Sequence, residues 1–117
     1  MILTLSYVAI GGAIGSLLRY LMVVGIGAPL GTLVVNILGS FAMGVLFVVL
    51  ATRTSLSPLL MTGVLGGFTT FSAFSLDALR LWEAGQTLQA GLYVLASVIL
   101  SLVAVALGAA IARGAFA

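Results

Sequence analysis

Residues 66–74 read Gly-Gly-Phe-Thr-Thr-Phe-Ser-Ala-Phe, which sets two glycines, two threonines, a serine and three phenylalanines into an otherwise aliphatic span. These groups have little bond-making chemistry. They have much to offer an ion: hydroxyls donate or accept, backbone carbonyls attract cations, and the electropositive edges of Phe71 and Phe74 attract anions weakly. Each glycine costs a helix roughly 1 kcal/mol relative to alanine, so Gly66-Gly67 at membrane depth predicts a third helix broken near its middle. Carbonyls freed by such a break are tolerated within a bilayer only where protein, water or an ion satisfies them. The competing reading is a kinked packing helix whose glycines admit a close neighbour, with Ser and Thr bonded to their own turns.

Two further stripes carry matching chemistry. Thr32, Asn36 and Ser40 recur every four residues and share one helical face, and Tyr93, Ser97 and Ser101 do the same. The Asn36 carboxamide can donate to an anion, or it can form an interhelical hydrogen bond worth about 1 kcal/mol; spacing alone does not choose. A hydroxyl stripe suits a small hydrated ion without fixing its sign. Gly11, Gly12 and Gly15 read as a helix-packing surface, and Gly39 and Gly44 also favour close approach. Arg19 is either a snorkelling anchor or the cation of an anion-attracting vestibule. Asp77 reads as a surface residue or an arginine partner, and Trp82 and Tyr20 as interfacial anchors.

Composition excludes most enzyme chemistry. The chain has no Cys and no His, and Asp77 and Glu83 are its only side-chain carboxylates. No nucleophile and base stand as a pair, so an enzyme is not expected. Four arginines without a lysine form no nucleic-acid patch. At 63% hydrophobic and 5% charged residues, with a mean hydropathy of +1.42, this is an all-α integral membrane protein in contact with lipid.

The elements that must position these groups follow from the charge-free stretches 1–18, 20–52, 54–76 and 84–112. A spanning helix needs about 20 apolar residues. With Gly25-Ile-Gly-Ala-Pro29 dividing the second stretch, four spans are predicted at about 2–22, 30–52, 58–82 and 88–112 in a single transmembrane domain over 1–117. Residues 1–18 lack the basic flank and cleavage site of a secretory signal and read as a retained first span. Residues 53–58 form the second connection, with Pro58 suited to a first helical turn.

Arg53 and Arg113 fall on one membrane side, and Arg19 and Arg80 lie towards the other. That zero bias predicts insertion in both orientations. Two oppositely oriented copies would imitate the inverted repeats of larger transporters, so an antiparallel homodimer is the economical expectation. A single orientation set by Arg53 and Arg113, with Arg19 too deep to count, is the alternative.

The motifs Gly11-Gly-x-x-Gly15-x-x-x-Arg19-Tyr20, Gly31-Thr32-x-x-x-Asn36-x-x-Gly39-Ser40-Phe41 and Gly66-Gly-Phe-Thr-Thr-Phe-Ser-Ala-Phe74 together resemble the Fluc (CrcB) fluoride channels. The resemblance covers three helices by motif and all four by layout. It implies a dual-topology antiparallel homodimer in the bacterial or archaeal cytoplasmic (inner) membrane, conducting fluoride outward through two pores, with a structural sodium ion at the dimer interface. It further implies that Asn36, Phe71 and Phe74 line the fluoride path, that Tyr93, Ser97 and Ser101 form its polar track, and that Thr32 supports the entrance. Arg19 is assigned to the vestibule and the Gly66 and Gly67 carbonyls to sodium. Ala73 stands where a Thr or Ser is common, leaving Ser72, Thr69 and Thr70 as donors on that segment.

A proton-coupled transporter of the small multidrug type shares the size and charge balance. It requires a membrane-embedded carboxylate, and this sequence has none in its first helix. A scaffold subunit of a larger assembly would suit the glycine faces but leaves the hydroxyl stripes unexplained.

Overall fold

The computed structural model describes residues 1–52 and 55–116. Arg53 and Thr54, on which part of the charge count and of the second connection rests, lie outside the described residues. Helix α1 covers Ile2–Ile26, α2 Leu30–Val49, α3 Gly66–Phe68, α4 Ser72–Glu83 and α5 Thr87–Phe116. The stretch Pro58–Leu65, wound with the wider π-type hydrogen-bond pattern, leads directly into α3. Among the described residues, four helical spans are long and apolar enough to cross a membrane, the third running Pro58–Glu83. The longest molecular dimension is 48 Å, comparable with a bilayer and its headgroups.

The first helix runs one turn beyond its expected end, because only Gly27, Ala28 and Pro29 are needed to reverse the chain. Gly27 supplies the reversal with φ of 94°, a conformation that glycine adopts without steric cost. The second helix closes earlier than expected, at Val49, with Leu50 capping back onto the Leu46 carbonyl. The last runs on to Phe116, past the expected 112, with Arg113 in its final turn, where a cation complements the helix dipole.

Small residues decide which helices meet. A Cβ on Gly44 would strike the Val105 carbonyl, and one on Gly108 would strike the Phe41 carbonyl, so α2 and α5 cross backbone to backbone. A second crossing joins α1 to the 58–68 stretch. A Cβ on Gly11 would lie 2.8 Å from the Val64 nitrogen, and one on Gly15 2.8 Å from the Phe68 nitrogen. Gly12 belongs to the same packing face through its backbone: a Cβ of its own would meet nothing, but one on Gly67 would lie 2.7 Å from the Gly12 carbonyl oxygen. Such contacts are how helices associate in lipid, where burying apolar side chains brings no gain over leaving them in acyl chains.

The outer faces confirm that environment. Leu88, Leu92, Leu95, Ile99 and Leu102 form one stripe along α5, each more than half exposed. In water this would be an aggregation surface; in a bilayer it is an ordinary lipid face. Tyr20 and Trp82 are both exposed.

Candidate functional site

Helical hydrogen bonding stops after Thr69, whose amide still reaches Leu65 at 3.0 Å while its own ψ of 157° sends the chain into extended geometry. Regular helix resumes at Ser72. Residues 70–72 make no helical bond back to the Gly66, Gly67 and Phe68 carbonyls. Three acceptors are thereby released on one side of the interruption, and the donor end of α4 opens on the other.

Thr70, between them, is fixed by Asn36. The Thr70 amide donates to Asn36 Oδ1 at 2.8 Å, and Asn36 Nδ2 donates to the Thr70 carbonyl at 2.9 Å. Because one contact needs an acceptor and the other a donor, the carboxamide orientation is dictated by chemistry. The interhelical bond that the sequence allowed is thus made, and made twice. Asn36 also lines the cleft described below, and its Nδ2 carries a second hydrogen that Thr70 does not use. The two alternatives for this residue are compatible.

Thr70 passes the restraint on. Its Oγ1 accepts from the Ala73 amide at 3.0 Å and lies 3.4 Å from Ser72 Oγ, so it caps the first turn of α4. Ala73 contributes its backbone amide here, and a hydroxyl at that position is not needed for the cap. Thr69 Oγ1 donates to the Leu65 carbonyl at 3.0 Å and closes the preceding turn.

A cleft of about 410 Å³ lies against this clamp, lined by Asn36, Ser40, Gly66, Thr69, Thr70, Phe71, Phe74, Ser97, Val98 and Ser101. The structure therefore brings together polar residues from α2, the interruption and α5. Ser101 Oγ is buried without a hydrogen-bond partner among the described residues, and Ser97 is buried at 4% exposure. Phe71 is 76% exposed and Phe74 is buried, and their rings meet edge to face with centroids 5.5 Å apart.

Tyr93, Thr32 and Ser72 do not line the cleft. Tyr93 sits behind Phe74, ring centroids 5.2 Å apart, and donates its hydroxyl to Asp77 Oδ2 at 3.3 Å. Thr32 Oγ1 lies near it and is buried. Asp77 corrects the sequence reading: it is 7% exposed, and its partner is a tyrosine rather than an arginine. Its spacing three residues after Phe74 was the available signal, since i and i+3 share a helical face. Arg19 is half-buried on α1 with Nε shielded from solvent and unpaired among the described residues. Gly66 borders the cleft, whereas Gly67 is taken up by its approach to Gly12.

Orphaned polar atoms in a buried site call for a ligand or water. At the cleft that atom is Ser101 Oγ, and the carbonyls freed before Thr70 lie in the partly exposed interruption beside it. None is a strong base or nucleophile, so the chemistry these groups offer is that of solvating an ion.

Comparison with known proteins agrees with that chemistry. Residues 6–109 match the family model described as CrcB-like protein, Camphor Resistance (CrcB). The curated fluoride-specific ion channel FluC of Ruegeria sp. (strain TM1040) is 56% identical over 124 residues, covering 97% of this chain and 98% of its own. That of Paracoccus denitrificans (strain Pd 1222) is 53% identical over 121 residues, with the same coverage. That of Rhizobium etli (strain ATCC 51251 / DSM 11541 / JCM 21823 / NBRC 15573 / CFN 42) is 53% identical over 117 residues, covering 91% and 93%. With matches spanning nearly its whole length, the chain belongs to the CrcB (FluC) family of membrane proteins.

Proposed function

We propose that the chain forms a passive, fluoride-selective channel that returns fluoride from the cytoplasm across the inner membrane. The observation that carries this is the convergence on one cleft of the Asn36 carboxamide, the Ser40, Ser97 and Ser101 hydroxyls and the Phe71–Phe74 pair, without a fixed positive charge among the described residues that line it. Fluoride is small and strongly hydrated, so it must exchange water for several donors at each point. Many weak donors favour passage, whereas an arginine in the path would hold the ion. Arg19 belongs to the vestibule on this reading, and Tyr93 and Thr32 continue the polar track beyond Phe74. The relatives' name, fluoride-specific ion channel, supports the choice of anion. The multidrug-type alternative is less favoured, since α1 carries no carboxylate and the buried Asp77 is bonded to Tyr93 and does not line the cleft.

In proteoliposomes loaded with potassium fluoride, valinomycin should release fluoride to an external electrode while chloride-loaded vesicles stay sealed. Release no faster than from protein-free vesicles, or equal release of chloride, would reject the reading.

The working unit is an antiparallel dimer with two pores. A hydroxyl-lined cleft whose Phe71 stands exposed cannot face acyl chains, because lipid offers its polar groups no partners. An oppositely oriented copy closes it and turns the interrupted third span into a pore wall. Because the chain has no native cysteine, one introduced at Gln86, exposed in the turn before α5, reports topology directly. Half the copies should react with an impermeant maleimide from outside intact cells, and reaction of all or none would exclude dual insertion.

The carbonyls freed at Gly66, Gly67 and Phe68 are hard oxygen donors that fit a sodium ion. Gly66 and Gly67 would hold it at the dimer interface, where it would satisfy acceptors that helix geometry leaves open.

A further inference from the structure

At the membrane end opposite Asp77 and Glu83, a groove of about 500 Å³ runs between the end of α2, the start of the 58–68 stretch and the end of α5. Phe47, Val48, Ala51 and Met61 supply its apolar walls, and Arg113 and Ser57 its polar edge. We propose that this groove binds an anionic phospholipid, with an acyl chain along the walls and the headgroup phosphate against Arg113 and Ser57.

Charge selects the occupant. Both side-chain carboxylates of the sequence lie on α4, whose end faces the other membrane surface, so Arg113 has no acidic side-chain partner within its own protomer. The Ser57 hydroxyl donates to the Met61 thioether at 3.5 Å, a weak acceptor that a phosphate oxygen readily replaces. Ser57 also precedes the first turn at Pro58, placing the electropositive end of the helical stretch at the same edge. Phe47 is 58% exposed at the wall and gives an acyl chain a broad contact. Basic pockets between membrane helices recognise anionic headgroups in this way. A neutral phospholipid would leave the arginine with no net counter-charge.

The test is native mass spectrometry of the delipidated full chain, offered equal amounts of dioleoyl phosphatidylglycerol and dioleoyl phosphatidylcholine. The wild type should retain the anionic lipid about fivefold more, the factor expected for one arginine at an anionic surface. Arg113→Gln should abolish that preference, and Arg80→Gln, at the opposite end, should keep it. Equal retention of both lipids by the wild type, or an undiminished preference in Arg113→Gln, overturns the proposal. Ala51→Trp fills the groove and should expel the retained lipid while the oligomeric state stays unchanged. If it dissociates the oligomer instead, the groove is a contact between copies and the lipid assignment fails.

Discussion

Asn36→Asp is expected to lower fluoride flux by about a hundredfold or more while the protein still elutes as a folded assembly. The aspartate retains the acceptor for the Thr70 amide and loses the donor to the Thr70 carbonyl, two bonds of 2.8 and 2.9 Å in the native protein. Leaving that carbonyl unpaired costs about 1–3 kcal/mol. The carboxylate also puts negative charge beside the ion path. Two unit charges 4 Å apart repel by about 4 kcal/mol at the effective dielectric typical of protein sites, and every 1.36 kcal/mol in a barrier is tenfold in rate. Asn36→Ala separates the two contributions, because it removes both bonds and adds no charge. It should unfold at lower temperature than Asn36→Asp yet conduct better. Equal flux in the two variants would mean that the clamp on Thr70 is the residue's whole contribution, and wild-type flux in Asn36→Asp would take it out of the path.

The clamp between Asn36 and Thr70 was half legible in the sequence. A carboxamide in an apolar helix announces a cost, and the Thr32-Asn36-Ser40 spacing gives its face. Its partner lies 34 residues away in a segment whose own irregularity creates the need, so the pairing belongs to the tertiary structure alone. The same holds for Asp77, which sits near a helix end in sequence and is buried because Tyr93, 16 residues on, bonds it. Span number was readable from apolar run lengths, since a bilayer enforces helix length more strictly than water does. Helix ends were less so. Gly25 is absorbed into α1, and α2 stops before Thr52 although nothing in residues 50–52 breaks a helix. The crossings were legible in kind, as small residues, but not in partner: Gly44 against Val105 and Gly15 against Val64 are fixed by how the helices dock.

Phe71→Ile and Phe74→Ile should each depress fluoride flux about tenfold or more, with different consequences for stability. Isoleucine retains much of the bulk and the apolar character while deleting the ring quadrupole, whose positive edge attracts an anion. Phe71 is 76% exposed, so its replacement removes little packing from the protomer and should leave the unfolding midpoint nearly unchanged. Phe74 is buried between Phe71 and Tyr93, with ring centroids at 5.5 and 5.2 Å. Its loss forfeits aromatic pairs worth about 0.5–1.5 kcal/mol each beyond area burial, and the midpoint should fall. This asymmetry makes the pair informative. If the rings only fill space, flux should track stability, leaving Phe71→Ile near wild type and Phe74→Ile impaired. If ring edges solvate fluoride, Phe71→Ile loses conduction without losing stability. Methionine at either position should recover part of the flux, since the hydrogens beside its sulfur are weakly positive and its chain fills irregular space. Flux in Phe71→Ile equal to that of wild type would remove the ring from the ion path and leave the amide and hydroxyl donors to carry fluoride alone.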